Sequence, residues 1–212
     1  MSLFRDRTDA GQRLAEQLIM YKDKKDILVL ALPRGGVPVA FEIANKLHLP
    51  MTVFLVRKLG VPGNEEFAIG AIAEEDICIL NQYLVQQLNI SREQIQHVLQ
   101  KEKQELERRL YRYRQGEKLP SLKNKTVIIV DDGIATGSTF NAAIQSLKTL
   151  KPKKIVLATP VASLDSLQNL SSQVEEVICL ATPEPFYGVA QWYKNFNQTS
   201  DEEVIQLLQK SF

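Results

Sequence analysis

Apolar residues fall along this chain in two alternating patterns. Five stretches are almost continuously apolar: Ile27–Leu32, Met51–Val56, Val127–Val130, Lys154–Ala158 and Val174–Leu180. Short unbroken runs of this kind are expected of strands buried on both faces of a parallel sheet. Between them, apolar residues recur three and four positions apart. Ala10, Leu14, Leu18 and Ile19 predict a helix over Thr8–Lys22, capped by Thr8 or Asp9. Val37, Ala40, Phe41, Ala44 and Leu47 predict a second. Phe140, Ile144, Leu147 and Leu150 predict another from Ser138 onward, and a fourth is expected near Ser163–Leu170. Strands alternating with helices are the mark of a parallel α/β sheet.

Other segments break this rhythm. Gly60–Asn64 reads as a Gly- and Pro-rich loop. Phe67–Ala73 and Ile77–Leu80 read as a short hairpin across Glu74-Glu75-Asp76. Ser91–Tyr113 is polar, carries only a broken apolar stripe, and opens with the capping-box pair Ser91 and Gln94. Pro183, Pro185 and Gly188 precede an aromatic cluster, and a last amphipathic helix is expected over Asp201–Gln209. The expected architecture is α/β, a five-stranded, mainly parallel sheet flanked by helices. It forms one domain over residues 1–212, with a helical insertion at about 81–118 and a hood or tail at about 183–212.

Composition narrows the function only a little. The 212 residues are 44% hydrophobic and 24% charged, as expected of a globular domain. A net charge of +1 implies no nucleic-acid or membrane partner. Cys78 and Cys179 lie in apolar runs, where buried free thiols are expected. The first residues include Arg5, Asp6, Arg7 and Asp9, unlike a signal peptide. No apolar run nears the ~18 residues of a membrane span. A cytoplasmic location is expected.

Chemistry concentrates after Val127–Val130. Asp131 and Asp132 follow that strand, then Gly133, Ile134, Ala135, Thr136, Gly137, Ser138 and Thr139 lead into a helix. A loop at the carboxyl end of a parallel strand is where ligands bind in open α/β sheets. Gly133 and Gly137 permit close approach and positive φ. The N–H groups, the hydroxyls and the start of the helix suit a phosphate. Two carboxylates beside a phosphate repel it unless sugar hydroxyls or a metal intervene. Asp131 and Asp132 can accept from a vicinal diol, or bind Mg²⁺ directly or through water. Phosphate, diol and metal together describe a ribose 5-phosphate. The loop has neither the Lys of a Walker A motif nor a G-x-G-x-x-G dinucleotide fingerprint. An ordinary Asx turn between strand and helix is the plain alternative.

Val127–Thr139 closely resembles the PRPP-binding loop of type I phosphoribosyltransferases. The resemblance implies that Asp131 and Asp132 hold the ribose hydroxyls and that Gly133–Thr139 wrap the 5-phosphate. It implies Mg²⁺ as cofactor, and PRPP and a small-molecule acceptor as ligands. Ala135 stands where 6-oxopurine transferases usually carry an Asp, so hypoxanthine and guanine are disfavoured. Leu32–Ala40, Val56–Gly60, Phe67–Ala71, Tyr111-Arg112 and Pro183–Tyr187 resemble a bacterial group of the same family whose acceptor is unassigned. A homodimer is expected.

The family also needs a pyrophosphate site. Arg34, Gly35 and Gly36 follow the first strand and open a helix, which orients N–H groups toward an anion. The resemblance places the pyrophosphate loop here, often with a non-proline cis peptide, which would fall within Leu32–Gly35. Arg57 and Lys58, read as the end of the second strand, resemble the cation pair of orotate and adenine transferases. A plain βα turn and a solvated strand end are the alternatives. Phe186, Tyr187 and Trp192 can stack on a planar acceptor or simply pack the hood. Arg108, Arg109, Arg112 and Arg114, interleaved with Tyr111 and Tyr113, can bind nucleic acid or form a solvated face paired with Glu102, Glu105 and Glu107. Two functions therefore stand: a PRPP-dependent transferase, or a regulator that senses PRPP or a nucleotide on the same fold and binds RNA, DNA or a protein. Intact Arg34, Arg57, Lys58 and both acids favour the enzyme, and nucleic acid is not expected as a partner.

Overall fold

The computed structural model describes residues 2–211, without the side chains of Glu65 and Glu66. Its residues group into two compact units. One comprises the chain up to Val53, Ser121–Gly137 and everything from Lys151 on. The other comprises Phe54–Pro120 and Ser138–Leu150.

The first unit holds a five-stranded parallel sheet in the order β2-β1-β6-β7-β8. The strands are β1 (Ile27–Ala31), β2 (Met51–Val53), β6 (Thr126–Val130), β7 (Lys154–Val161) and β8 (Glu176–Ala181). All residues of β1, and all but the first of β6 and β7, are buried; the buried parts of β1 and β6 are unbroken apolar runs, and β7 admits one polar residue, Thr159. β8, at the edge, is half-buried throughout. Helices α1 (Arg7–Gln17), α2 (Gly36–Leu47), α6 (Leu164–Ser171) and α7 (Asp201–Lys210) belong to this unit. The cap of α1 is Asp6, which accepts from Asp9 N at 2.8 Å, not Thr8 or Asp9. The chain runs outward from β1 to β2 in one direction and from β6 to β7 and β8 in the other. The strand order thus reverses between β1 and β6, which makes their carboxyl ends the expected ligand crevice.

The second unit contains a three-stranded antiparallel sheet, β3-β4-β5: β3 (Val56–Val61), β4 (Asn64–Ala73) and β5 (Cys78–Leu80). It also holds α3 (Gln82–Gln87), α4 (Arg92–Arg114) and α5 (Ser138–Thr149). The expected strand Met51–Val56 is two strands in two sheets. Phe54 and Leu55, between them, are as buried as the strands, so the apolar run hides the break. The expected Gly60–Asn64 loop shrinks to the turn Pro62-Gly63. The capping box of Ser91 and Gln94 forms as expected. Cys78 is exposed, contrary to expectation, because it opens the short strand β5; Cys179 is half-buried, and burial raises its thiol to about 11. No helix among the described residues is long and apolar enough to cross a membrane.

Candidate functional site

Two loops meet at the carboxyl ends of β1 and β6. β1 pairs with β6 in parallel, and Leu32 N donates to Val130 O at 2.8 Å. This contact sets Pro33–Gly36 beside Asp131 and Asp132. The Pro33–Arg34 peptide is cis, within the window that the resemblance implied. Both glycines of the first loop are demanded by the second. A Cβ on Gly35 would lie 2.0 Å from Asp132 Oδ2, and one on Gly36 would lie 2.6 Å from Val130 O.

The acids are tightly held. Asp132 N donates to Asp131 Oδ1 at 2.9 Å. Asp132 Oδ2 accepts from Arg7 Nε at 2.7 Å, with side chains only 12% (Arg7) and 13% (Asp132) exposed. Arg7 also donates to Asn197 O at 2.6 Å and lies 3.9 Å over the Phe196 ring. Tyr193 OH donates to Asp132 O at 2.6 Å. Burial first, and then the Asp132 charge, raise Asp131 well above the ordinary carboxylate range. Burial raises Asp132 too, against the pull of Arg7. One guanidinium thus faces two desolvated carboxyls, which leaves them short of positive charge. No group of three or more His, Cys, Asp or Glu able to hold a metal occurs among the described residues.

The rest of the loop divides by role. Ile134 is buried, its N–H donates to Val161 O and its carbonyl accepts from Ser163 N, both at 2.9 Å. It therefore anchors the loop and has no N–H to offer a phosphate. Ser163 and Ser166 both donate from Oγ to Ala135 O at 2.7 Å. Gly137 takes φ +72°, as expected. Gly133 does not take positive φ; its bare Cα accommodates Val189, whose Cγ1 would lie 2.4 Å from an added Cβ. Ala135, Thr136 and Thr139 are exposed at the start of α5, and Gly137 and Ser138 are half-exposed.

A model of the phosphoribosyl transferase domain matches residues 5–192. The chain belongs to the phosphoribosyltransferase family. A Mycobacterium tuberculosis protein provisionally named a phosphoribosyl transferase is 44% identical over 211 residues. The match takes in all of this chain and 47% of that protein, so the chain spans about half the length of the curated relatives it matches. A Thermus thermophilus crystal structure superposes with TM-score 0.87 at 36% identity, covering 100% of this chain and 99% of that one. A uracil phosphoribosyltransferase of Sulfolobus acidocaldarius is 42% identical over 57 residues, 26% of each chain.

The remaining expected site residues make the following contacts within their own units. Arg34 Nη1 lies 3.8 Å from Asp201 Oδ1, at the start of α7. Arg57 and Lys58 occupy consecutive positions inside β3, not a strand end, so their side chains leave opposite faces of the sheet. Arg57 turns to α4, where Nε and Nη2 meet Glu102 Oε2 at 2.7 and 2.6 Å. Lys58 has no ion-pair partner among the described residues. Phe186 and Trp192, 6.2 Å apart, pack against the cluster of Phe4, Ala10, Val161 and Tyr193, whereas Tyr187 is 86% exposed. The three aromatics do not form one stacking surface. The arginine-rich stretch of α4 is engaged internally. Arg108 and Arg109 pair with Glu105, and Arg114 is buried against Glu74. Glu102, expected to serve that stretch, serves Arg57.

Sequence reasoning missed Arg7, Tyr193, Ser163 and Ser166. Only the charge-dense run Arg5–Asp9 hinted at the first.

Proposed function

We propose that this protein transfers ribose 5-phosphate from PRPP to a base-like acceptor, with Mg²⁺, and releases pyrophosphate. The observation that carries this reading is the acid pair, packed between two N–H-bearing loops at the sheet's reversal point. Asp131 and Asp132 would receive the ribose 2- and 3-hydroxyls. Ala135–Thr139 would cradle the 5-phosphate with backbone N–H groups and hydroxyls. Arg34, Gly35 and Gly36 would face the pyrophosphate, with Lys58 as a further cation and Arg57 available on release from Glu102. Mg²⁺, bound with PRPP beside Asp131 and Asp132, would neutralise the diphosphate. Arg7 supplies positive charge at Asp132 before PRPP arrives, and the diol would share Asp132 with it.

The bond from C1 to pyrophosphate breaks as the acceptor nucleophile attacks the opposite face. Catalysis of this kind rests on positioning and on stabilising charge as it develops. The acids would lie beside the cationic sugar as it forms. A partial match to a uracil enzyme makes pyrimidines the first acceptors to try.

Calorimetric titration of PRPP with Mg²⁺ into wild type and Asp132→Asn tests the site. The variant should bind at least about tenfold more weakly, a loss of about 1.4 kcal/mol. Equal affinity would place PRPP elsewhere.

A further inference from the structure

Arg7 is the first residue of α1, whose start is fixed by the Asp6 cap. Its side chain is held at three points. Nε donates to Asp132 Oδ2 at 2.7 Å, Nη1 donates to Asn197 O at 2.6 Å, and the guanidinium lies 3.9 Å over the Phe196 ring. The segment that supplies the last two points is itself tied to the N-terminal residues. Lys194 N donates to Phe4 O at 2.8 Å, and Asn195 N donates to Arg5 O at 2.9 Å. A cation restrained in this way loses little further freedom when a ligand arrives.

This arrangement divides the oxygens of the two acids. Asp132 Oδ2 is enclosed between Arg7 Nε and Gly35, where an added Cβ would lie 2.0 Å away. Asp131 Oδ1 is taken by Asp132 N. Asp132 Oδ1 and Asp131 Oδ2 accept no hydrogen bond among the described residues. Neither oxygen is sealed, because the side-chain N and O atoms that are both buried and unpaired among the described residues belong to Arg114. Each acid thus keeps one open acceptor oxygen, and two acceptors are what a vicinal diol needs.

We infer that Arg7 is a positioning residue that makes this site demand an intact ribose diol. By holding Asp132 Oδ2 it keeps Oδ1 turned toward the ligand, to accept from one hydroxyl while Asp131 Oδ2 accepts from the other. The inference rests on the proposed function's reading of the acid pair as the diol site. A sugar phosphate that lacks one hydroxyl leaves a carboxylate oxygen desolvated and unpaired, which costs more than a missing contact. Without Arg7, Asp132 is free to turn, and the penalty for the missing hydroxyl falls. A salt bridge that only stabilised the fold would instead change the affinity for every sugar phosphate alike.

The test compares ribose 5-phosphate with its 2-deoxy and 3-deoxy analogues, titrated calorimetrically with Mg²⁺ into the full chain up to millimolar ligand. The wild type should prefer ribose 5-phosphate to each analogue by about tenfold or more, the scale of one hydrogen bond to a charged group. Arg7→Met should cut the preference over one analogue, the one lacking the hydroxyl that Asp132 receives, to about threefold or less. Should that variant melt too early, Arg7→Lys, which keeps the charge but loses Nε, is read in the same way. An equal loss of affinity for all three sugars, or no loss, in the folded variant would overturn the inference and leave the diol site standing. No binding by the wild type, or binding without preference, would overturn both.

Discussion

Gly35→Ala is a demanding test of how the two loops fit. The added Cβ would lie 2.0 Å from Asp132 Oδ2, 2.7 Å from its Cγ and 3.2 Å from Oδ1. An ordinary C···O contact is roughly 3.3 Å, so the carboxylate would have to withdraw by about 1.3 Å. Three bonds resist that movement. Arg7 Nε holds the same oxygen at 2.7 Å, Tyr193 OH holds Asp132 O at 2.6 Å, and Asp131 Oδ1 holds Asp132 N at 2.9 Å. Overpacking of a well-filled site costs about 1–3 kcal/mol, several degrees of melting temperature in a chain of this size. Binding should suffer more than folding, because a displacement of ~1 Å in a positioning group can cost ~100-fold. Gly35→Ala is expected to melt lower and to bind PRPP at least about tenfold more weakly by calorimetry. A variant that binds within twofold of wild type and melts at the same temperature would refute the close approach of these loops.

Three further outcomes follow from named contacts. Arg7→Met and Asp132→Asn should be non-additive in urea unfolding, with a coupling energy of about 0.5–3 kcal/mol; strict additivity would mean the pair is not formed in solution. Glu74→Gln should destabilise the chain by about 3–5 kcal/mol, because it leaves the buried Arg114 guanidinium, whose Nε and Nη1 have no acceptor among the described residues, without its counter-charge; an unchanged urea midpoint would contradict this. Hydrogen bonds from Arg108 and then Arg109, working against desolvation, lower Glu105 from 4.5 to about 2. Its folded-state value is depressed, so its stabilisation is present above about 4.5 and fades as pH falls toward about 2. Melting temperatures of Glu105→Gln should converge on those of wild type across that window, and a constant gap would count against the pairing.

The central strands were readable because burial on both faces leaves nothing but apolar residues, as in β1 and β6. The acid pair and its loop were readable because strand, carboxylates, glycine and hydroxyls are contiguous. What surrounds the acids was not. Arg7 and Asp132 are 125 residues apart, and Tyr193 and Asp132 are 61 apart, so no local pattern joins them. Ile134 looks like any loop residue until its N–H is seen on Val161. The Arg57-Lys58 pair misled because β3 was hidden. Once the segment is a strand rather than a loop edge, alternation alone sends the two cations to opposite faces. Glu102 then finds Arg57 rather than its own helix neighbours. The aromatic tail carried the composition of a stacking site but packs largely as hood core around Tyr193.

The most direct measurement of the central claim is pyrophosphate release from PRPP with Mg²⁺, followed across a panel of pyrimidines, purines and related heterocycles. The account predicts release that depends on one class of acceptor and is lost in Asp132→Asn. PRPP binding with no release under any acceptor would contradict it, and the same fold would then be a sensor rather than a transferase.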